Sequence, residues 1–135
     1  MLKKIDHVGI LVASIPEALK FYQGVLGLSV SGIEEVKREG VRIAFLPVGE
    51  SKIELLEPLD KESPLYRILE KRGEGLHHLA FETDSTVDCL KGISAFGVMP
   101  INGVRQGADG KEVAFLHPKQ THGVLVEFCS RGERV

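Results

Sequence analysis

Two histidines and two glutamates stand at matching points of this 135-residue chain. Ile5-Asp6-His7-Val8-Gly9-Ile10 is followed by Lys52-Ile53-Glu54-Leu55-Leu56; later, Leu76-His77-His78-Leu79-Ala80-Phe81 is followed by Leu125-Val126-Glu127-Phe128. The separation from His to Glu is 47 residues in the first copy and 49 in the second, and an Ala-Phe-Leu triplet lies inside each, at Ala44 to Leu46 and Ala114 to Leu116. A single His or Glu in a strand is usually a satisfied core or surface residue. Repetition changes that reading, because two like modules packed on a pseudo-twofold bring equivalent residues together. Two neutral imidazoles and two carboxylates make a charge-neutral site with a divalent cation, and a six-coordinate ion keeps two positions open for water or substrate. Nitrogen and oxygen ligands without thiolate fit zinc, cobalt, nickel, manganese or ferrous iron. Open positions imply catalysis, whereas closed structural zinc sites usually recruit Cys. The expected metal ligands are His7, His78, Glu127 and Glu54.

The positioning elements follow from patterning. In the first copy, residues 4 to 12 read as a strand, and Ser14-Ile15-Pro16-Glu17 supplies an N-cap, an early Pro and a capping-box Glu for a helix to about Gly24. Strands are expected at 28 to 37, 41 to 48 and 52 to 57. The second copy repeats this with a strand at 76 to 83, a helix from Ser85 to Phe96 stopped by Gly97, and strands at 98 to 105, 111 to 117 and 123 to 129. Between them, Ser63-Pro64 opens a short amphipathic helix that Gly73 ends. The expected fold is therefore α+β, two repeated βαβββ modules packed with pseudo-twofold symmetry. A single domain spans residues 1 to 135, with module one at about 4 to 58, a helical linker at 59 to 74 and module two at 75 to 129. Period-two alternation places His7 opposite Val8 and Ile10, His78 opposite Leu79 and Phe81, and each Glu on the face away from its helix.

Composition narrows the partners. The chain is 43% hydrophobic and 27% charged, and its 17 Lys plus Arg against 19 Asp plus Glu give a net charge of −2, with no electrostatic footprint for nucleic acid or an anionic membrane. A small molecule is the expected partner. No apolar run of membrane-spanning length occurs, and the N-terminus passes straight into a strand pattern, so a cytoplasmic location is expected. Cys89 and Cys129 have neither zinc-site nor disulfide spacing and read as reduced packing residues. His77, His117 and His122 lack counterparts across the repeat and read as ordinary side chains.

These modules resemble the vicinal oxygen chelate (glyoxalase) superfamily, whose modules form open barrels around a divalent metal. Within it, Ile5-Asp6-His7-Val8-Gly9-Ile10, Lys52-Ile53-Glu54-Leu55-Leu56-Glu57-Pro58, Gly75-Leu76-His77-His78-Leu79-Ala80-Phe81-Glu82 and His117-Pro118-Lys119 with Gly123-Val124-Leu125-Val126-Glu127 resemble the methylmalonyl-CoA epimerases, from about residue 4 to 129. The resemblance implies metal ligands at His7, His78 and Glu127, with Glu54 where the family carries Glu or Gln. It implies inversion of the α-carbon of methylmalonyl-CoA by proton abstraction and reprotonation through a metal-stabilised enolate. Two acid/base groups are then needed, one per face. Some bacterial members place a Glu three residues after the Gly of a Gly-Val strand, but this chain reads Gly40-Val41-Arg42-Ile43. Ile43 cannot be a base, which leaves Glu54 and Glu127 as the expected catalytic pair.

The implied partner is a CoA thioester. Lys111, Lys119 and Arg105, placed in or near loops of the second module, are the cations available for its phosphates, although surface cations are usually only solvated. A homodimer is also implied. The neighbouring alternative is a glyoxalase I type lactoylglutathione lyase, which shares the metal set; its relatives typically show Asp-Pro-Asp-Gly where this chain has the His-Pro-Lys motif. A non-catalytic ligand-binding protein on the same fold is the alternative of another class, and the intact ligand set argues against it.

Overall fold

The computed structural model describes residues 1–131, which fall into two compact units. One runs from His7 to His77; the other joins Met1–Asp6 to the chain from His78 onward. The first strand, β1 (Leu2–Leu11), thus begins in one unit and ends in the other.

In the His7–His77 unit, β1 leads into α1 (Ile15–Tyr22), β2 (Gly32–Val36), β3 (Val41–Val48), β4 (Ser51–Pro58) and α2 (Pro64–Arg72). The strand order is β2-β3-β4-β1, with β1 parallel to β4 and the other pairs antiparallel. Ser14 caps α1 by accepting from the Glu17 N–H at 3.2 Å, as its capping sequence requires. One face of the sheet presents Val12, Ala44, Leu46 and Leu55, with Ile10 and Ile53 beside them, to Ile15, Ala18, Leu19 and Tyr22 around α1. Gly40 turns the chain into β3 at φ +66°, and a Cβ there would stand 3.0 Å from the Ser63 side chain, so a larger residue would be both strained and crowded.

The second unit repeats this plan with β5 (Gly75–Thr83), α3 (Thr86–Ser94), β6 (Pro100–Gln106), β7 (Lys111–Leu116) and β8 (Val126–Arg131). The order is β5-β8-β7-β6, again with one parallel pair, β5 with β8. Cys89, Leu116 and Phe128 centre the cluster under α3, joined by Phe81, Leu90 and Ile93.

Each expected element forms, with two strands starting late and a third interrupted by a bulge. Leu28 and Val30 pack on the α1 core from a loop, so β2 starts only at Gly32. A bulge between Ile101 and Arg105, with Asn102 at φ 57° and Gly103 at φ 71°, breaks β6. His122 at φ 60° and Gly123 at φ 92° sit in a turn that delays β8 to Val126.

Leu55 has no exposed surface at the centre of the α1 core. Leu55→Ala is expected to lower unfolding free energy by about 2–5 kcal/mol through lost transfer energy and the cavity left behind. Urea denaturation followed by circular dichroism measures this.

Candidate metal and catalytic site

The strand registers give each unit the same local construction. In one, Glu54 on β4 faces Gly9 on the parallel strand and Phe45 on the antiparallel strand, and His7 lies two residues before Gly9. In the other, Glu127 on β8 faces Ala80 and Phe115, and His78 lies two residues before Ala80. Each glutamate thus stands between a small residue on one neighbouring strand and a phenylalanine on the other. These positions lie on the face away from the helix, as the alternation predicts.

The carboxylates are met by the imidazoles. His7 Nδ1 is 3.2 Å from Glu54 Oε2, and His78 Nε2 is 3.0 Å from Glu127 Oε1, with all four side chains 5–7% exposed. Lys52, also on β4, brings its ammonium to 3.8 Å from Glu54 Oε2 and 5.2 Å from the centre of the Phe45 ring. Phe115 meets His78 edge-on at 5.7 Å, and the Arg105 guanidinium lies 5.5 Å from the same Phe115 ring. A buried carboxylate is costly without a cation or donor beside it. Each unit thus holds one imidazole and one carboxylate buried side by side, His7 with Glu54 in one and His78 with Glu127 in the other. This imidazole and carboxylate chemistry fits a borderline divalent ion.

The expected site residues are therefore brought together pairwise, His7 with Glu54 and His78 with Glu127. Ile43 is buried opposite Leu56 on β4 and Glu34 on β2, while its neighbour Arg42 is ion-paired on the helix side with Glu35 and Glu57. The hydrogen bonds that Arg42 donates to the Glu35 and Glu57 carboxylates raise its pKa. His117 caps a single turn, its Nδ1 accepting from the Lys119 N–H at 3.1 Å, and His122 occupies the turn before β8. Both are exposed.

One expectation is corrected. Lys111 does not stand at a loop surface for a phosphate; it opens β7, is 9% exposed, and donates to Asp6 Oδ1 at 3.0 Å. Charge pattern alone does not reveal a buried pair joining residues 105 apart. Burial pulls the Lys111 pKa down, but the hydrogen bond and charge of Asp6, aided by the charge of Asp109, outweigh it and hold the value above 10.5. Cys129 is fully buried, and its thiol is pushed far up, first by burial and then by the charges of Asp6 and Glu127. It stays a protonated packing residue, as does Cys89, raised by burial. Sequence reasoning also passed over the ring roles of Phe45 and Phe115, although the recurring Ala-Phe-Leu triplet was their signal.

Comparison with known proteins follows this geometry. The profile of the Glyoxalase/Bleomycin resistance protein/Dioxygenase superfamily matches residues 6–115. The uncharacterized protein YqjC of Bacillus subtilis is 45% identical over 95% of this chain and 92% of its own length. Human mitochondrial methylmalonyl-CoA epimerase is 37% identical over 93% of this chain and 73% of its own. A variant of Streptomyces coelicolor methylmalonyl-CoA epimerase, solved in complex with 2-nitronate-propionyl-CoA, superposes with a TM-score of 0.91 at 35% identity, covering 98% of this chain and 96% of that one. The repeated-module α+β fold read from the sequence is the fold of these proteins.

Lys111→Met strands the buried Asp6 carboxylate and is expected to cost about 3–5 kcal/mol of stability at pH 7. Because the folded-state pKa lies above 10.5, the wild-type advantage is present in full below pH 10.5 and fades as pH rises through the higher folded value. Urea titrations at pH 7 and pH 11 measure both. Separately, Cys89 and Cys129 are expected to resist a thiol-reactive disulfide reagent in the native protein and to react only after denaturation.

Proposed function

The chain belongs to the methylmalonyl-CoA epimerases, isomerases of the glyoxalase superfamily, and on that footing we propose that it inverts the α-carbon of methylmalonyl-CoA with one divalent ion held by His7, His78, Glu127 and Glu54. The observation that carries the reading is the pair of buried His–Glu contacts, at 3.2 and 3.0 Å, built on equivalent strands of the two units. Both units work as one domain in this reading, and the functional form is a cytoplasmic homodimer. No helix among the described residues is long and apolar enough to cross a membrane.

The chemistry asks for three things from the protein. The carbon between thioester and carboxylate must lose a proton to a base within about 2.6–3.2 Å and regain one on the opposite face. Glu127, ionised, takes the proton on one face while Glu54, carrying a proton at that stage, returns it on the other and is left ionised, the two exchanging roles in the reverse direction; a carboxyl group has two oxygens, so one would be free to hold an ion while the second meets the α-carbon. The planar enolate must be sheltered from water, and Phe45 and Phe115, each directly across a strand pair from a catalytic Glu, supply the apolar walls. The divalent ion, when bound, supplies Lewis-acid stabilisation of the developing enolate charge, worth several kcal/mol. His7 and His78 would help hold it, each ring kept in place by the carboxylate beside it.

The test is exchange at the α-carbon of methylmalonyl-CoA in deuterated water, after chelator treatment and with cobalt, manganese, nickel or zinc restored. Metal-dependent deuterium incorporation with loss of stereochemical purity is expected, and Glu127→Gln is expected to slow it by about 10²–10⁴-fold. Absence of exchange with every ion would overturn the reading, and full turnover by Glu54→Gln would remove Glu54 from the acid/base pair.

A further inference from the structure

We propose that Phe115 is a positioning residue for the metal ligand His78, braced against the imidazole by the Arg105 guanidinium that a β-bulge carries over the phenyl ring. The proposal rests on the metal-dependent reading of the site, and all its side chains belong to the unit that contains β5 to β8.

The imidazole must be held at a set angle to serve as a ligand. Its Nε2 lies 3.0 Å from Glu127 Oε1, which restrains one ring atom. The last side-chain torsion of a histidine is broad and roughly two-fold, and half a turn about it puts ring carbons where the nitrogens stood. A carbon cannot bind an ion. Phe115 stands edge to face with the imidazole, 5.7 Å between centres and 84° between planes, where it obstructs that rotation. Its own backbone is in register with Glu127 across β7 and β8, and its ring packs on Ala80, Val113 and Cys129, so the obstruction is fixed to the strand that bears the carboxylate.

The bulge accounts for the cation over this ring. From Ile101 to Arg105 the chain advances four residues while β7 advances two, from Phe115 to Val113, and Asn102 and Gly103 at φ 57° and 71° take up the excess. An unbroken ladder would set Gly103 opposite Val113. The bulge sets Arg105 there, its guanidinium 5.5 Å from the Phe115 ring centre, and re-aiming a side chain beside an active site is a common use of bulges. By charge alone Arg105 opposes a divalent ion at His78 and Glu127, so its removal would tighten binding. As a brace for Phe115 it favours the ion, and its removal loosens binding. The two roles differ in sign.

Calorimetric titration of the metal-free protein with cobalt separates them. Phe115→Leu, apolar but without the ring, is expected to weaken cobalt binding by about 10–100-fold, the usual cost of losing support around a metal ligand, and Phe115→Tyr, which keeps the ring, to stay within about threefold of wild type. Arg105→Met is expected to weaken binding by about two- to fivefold, the worth of one cation–π contact, and to have no further effect when added to Phe115→Leu. Arg105 is a half-buried side chain on an edge strand, so Arg105→Met gives the answer even if Phe115→Leu does not fold. A lowered melting temperature with unchanged cobalt affinity in both variants, or tighter binding by Arg105→Met, would overturn the proposal. Wild-type protein that takes up no cobalt would overturn it together with the metal-dependent reading, whereas the epimerase reading fails separately, by absent α-deuterium exchange in protein that still binds cobalt.

Discussion

A carboxylate placed inside an apolar strand is the constraint around which each unit is organised. Glu54 and Glu127 are 6% and 5% exposed, and a charge so buried survives only with a partner. Each unit supplies it from the same direction: an imidazole two positions upstream of the small residue that faces the Glu. Gly9 and Ala80 face the glutamates from one neighbouring strand, and Phe45 and Phe115 from the other. The opposite face of each set of strands is apolar, and that is the face α1 and α3 cover.

The helices are tied to the same strands that carry the site. The N–H of Ile15, first in α1, donates to Glu57 Oε2 at 2.8 Å, and the N–H of Thr86, first in α3, donates to Ser130 Oγ at 2.9 Å. Glu57 and Ser130 each stand three residues after the site glutamate, where odd spacing turns them to the helix side. The position is repeated while its chemistry has diverged. Glu57 also takes the Arg42 guanidinium, whereas Ser130 exchanges a hydroxyl contact with Thr86 at 2.8 Å. A helix start pinned at the strand that bears the carboxylate fixes the backbone beneath it.

Charged groups away from the site glutamates are distributed with equal economy. Asp6, next in the chain to His7, is engaged by Lys111 in a pair that excludes nearly all solvent, with the Cys129 thiol kept protonated beside it. A buried pair of this kind adds little net stability over apolar packing, but removing either member is expensive, which ties the start of β1 to β7. Lys52 and Arg105 instead lie over the phenylalanines that face the glutamates, one in each unit.

The sequence by itself determined the repeat, the element order and the faces of His7, His78, Glu54 and Glu127. Those features are local: alternation, capping residues and matched spacing are written in neighbouring positions. Only the tertiary structure decided what depends on strand register and on contacts far apart in sequence. Lys52, Lys111 and Arg105 are all cations near strand or turn patterns, and nothing local separates them. Register sets Lys52 beside Glu54, burial locks Lys111 onto Asp6, and a bulged strand lays Arg105 over Phe115. Side-chain charge is a property of the residue, whereas what that charge meets is a property of the pairing between strands.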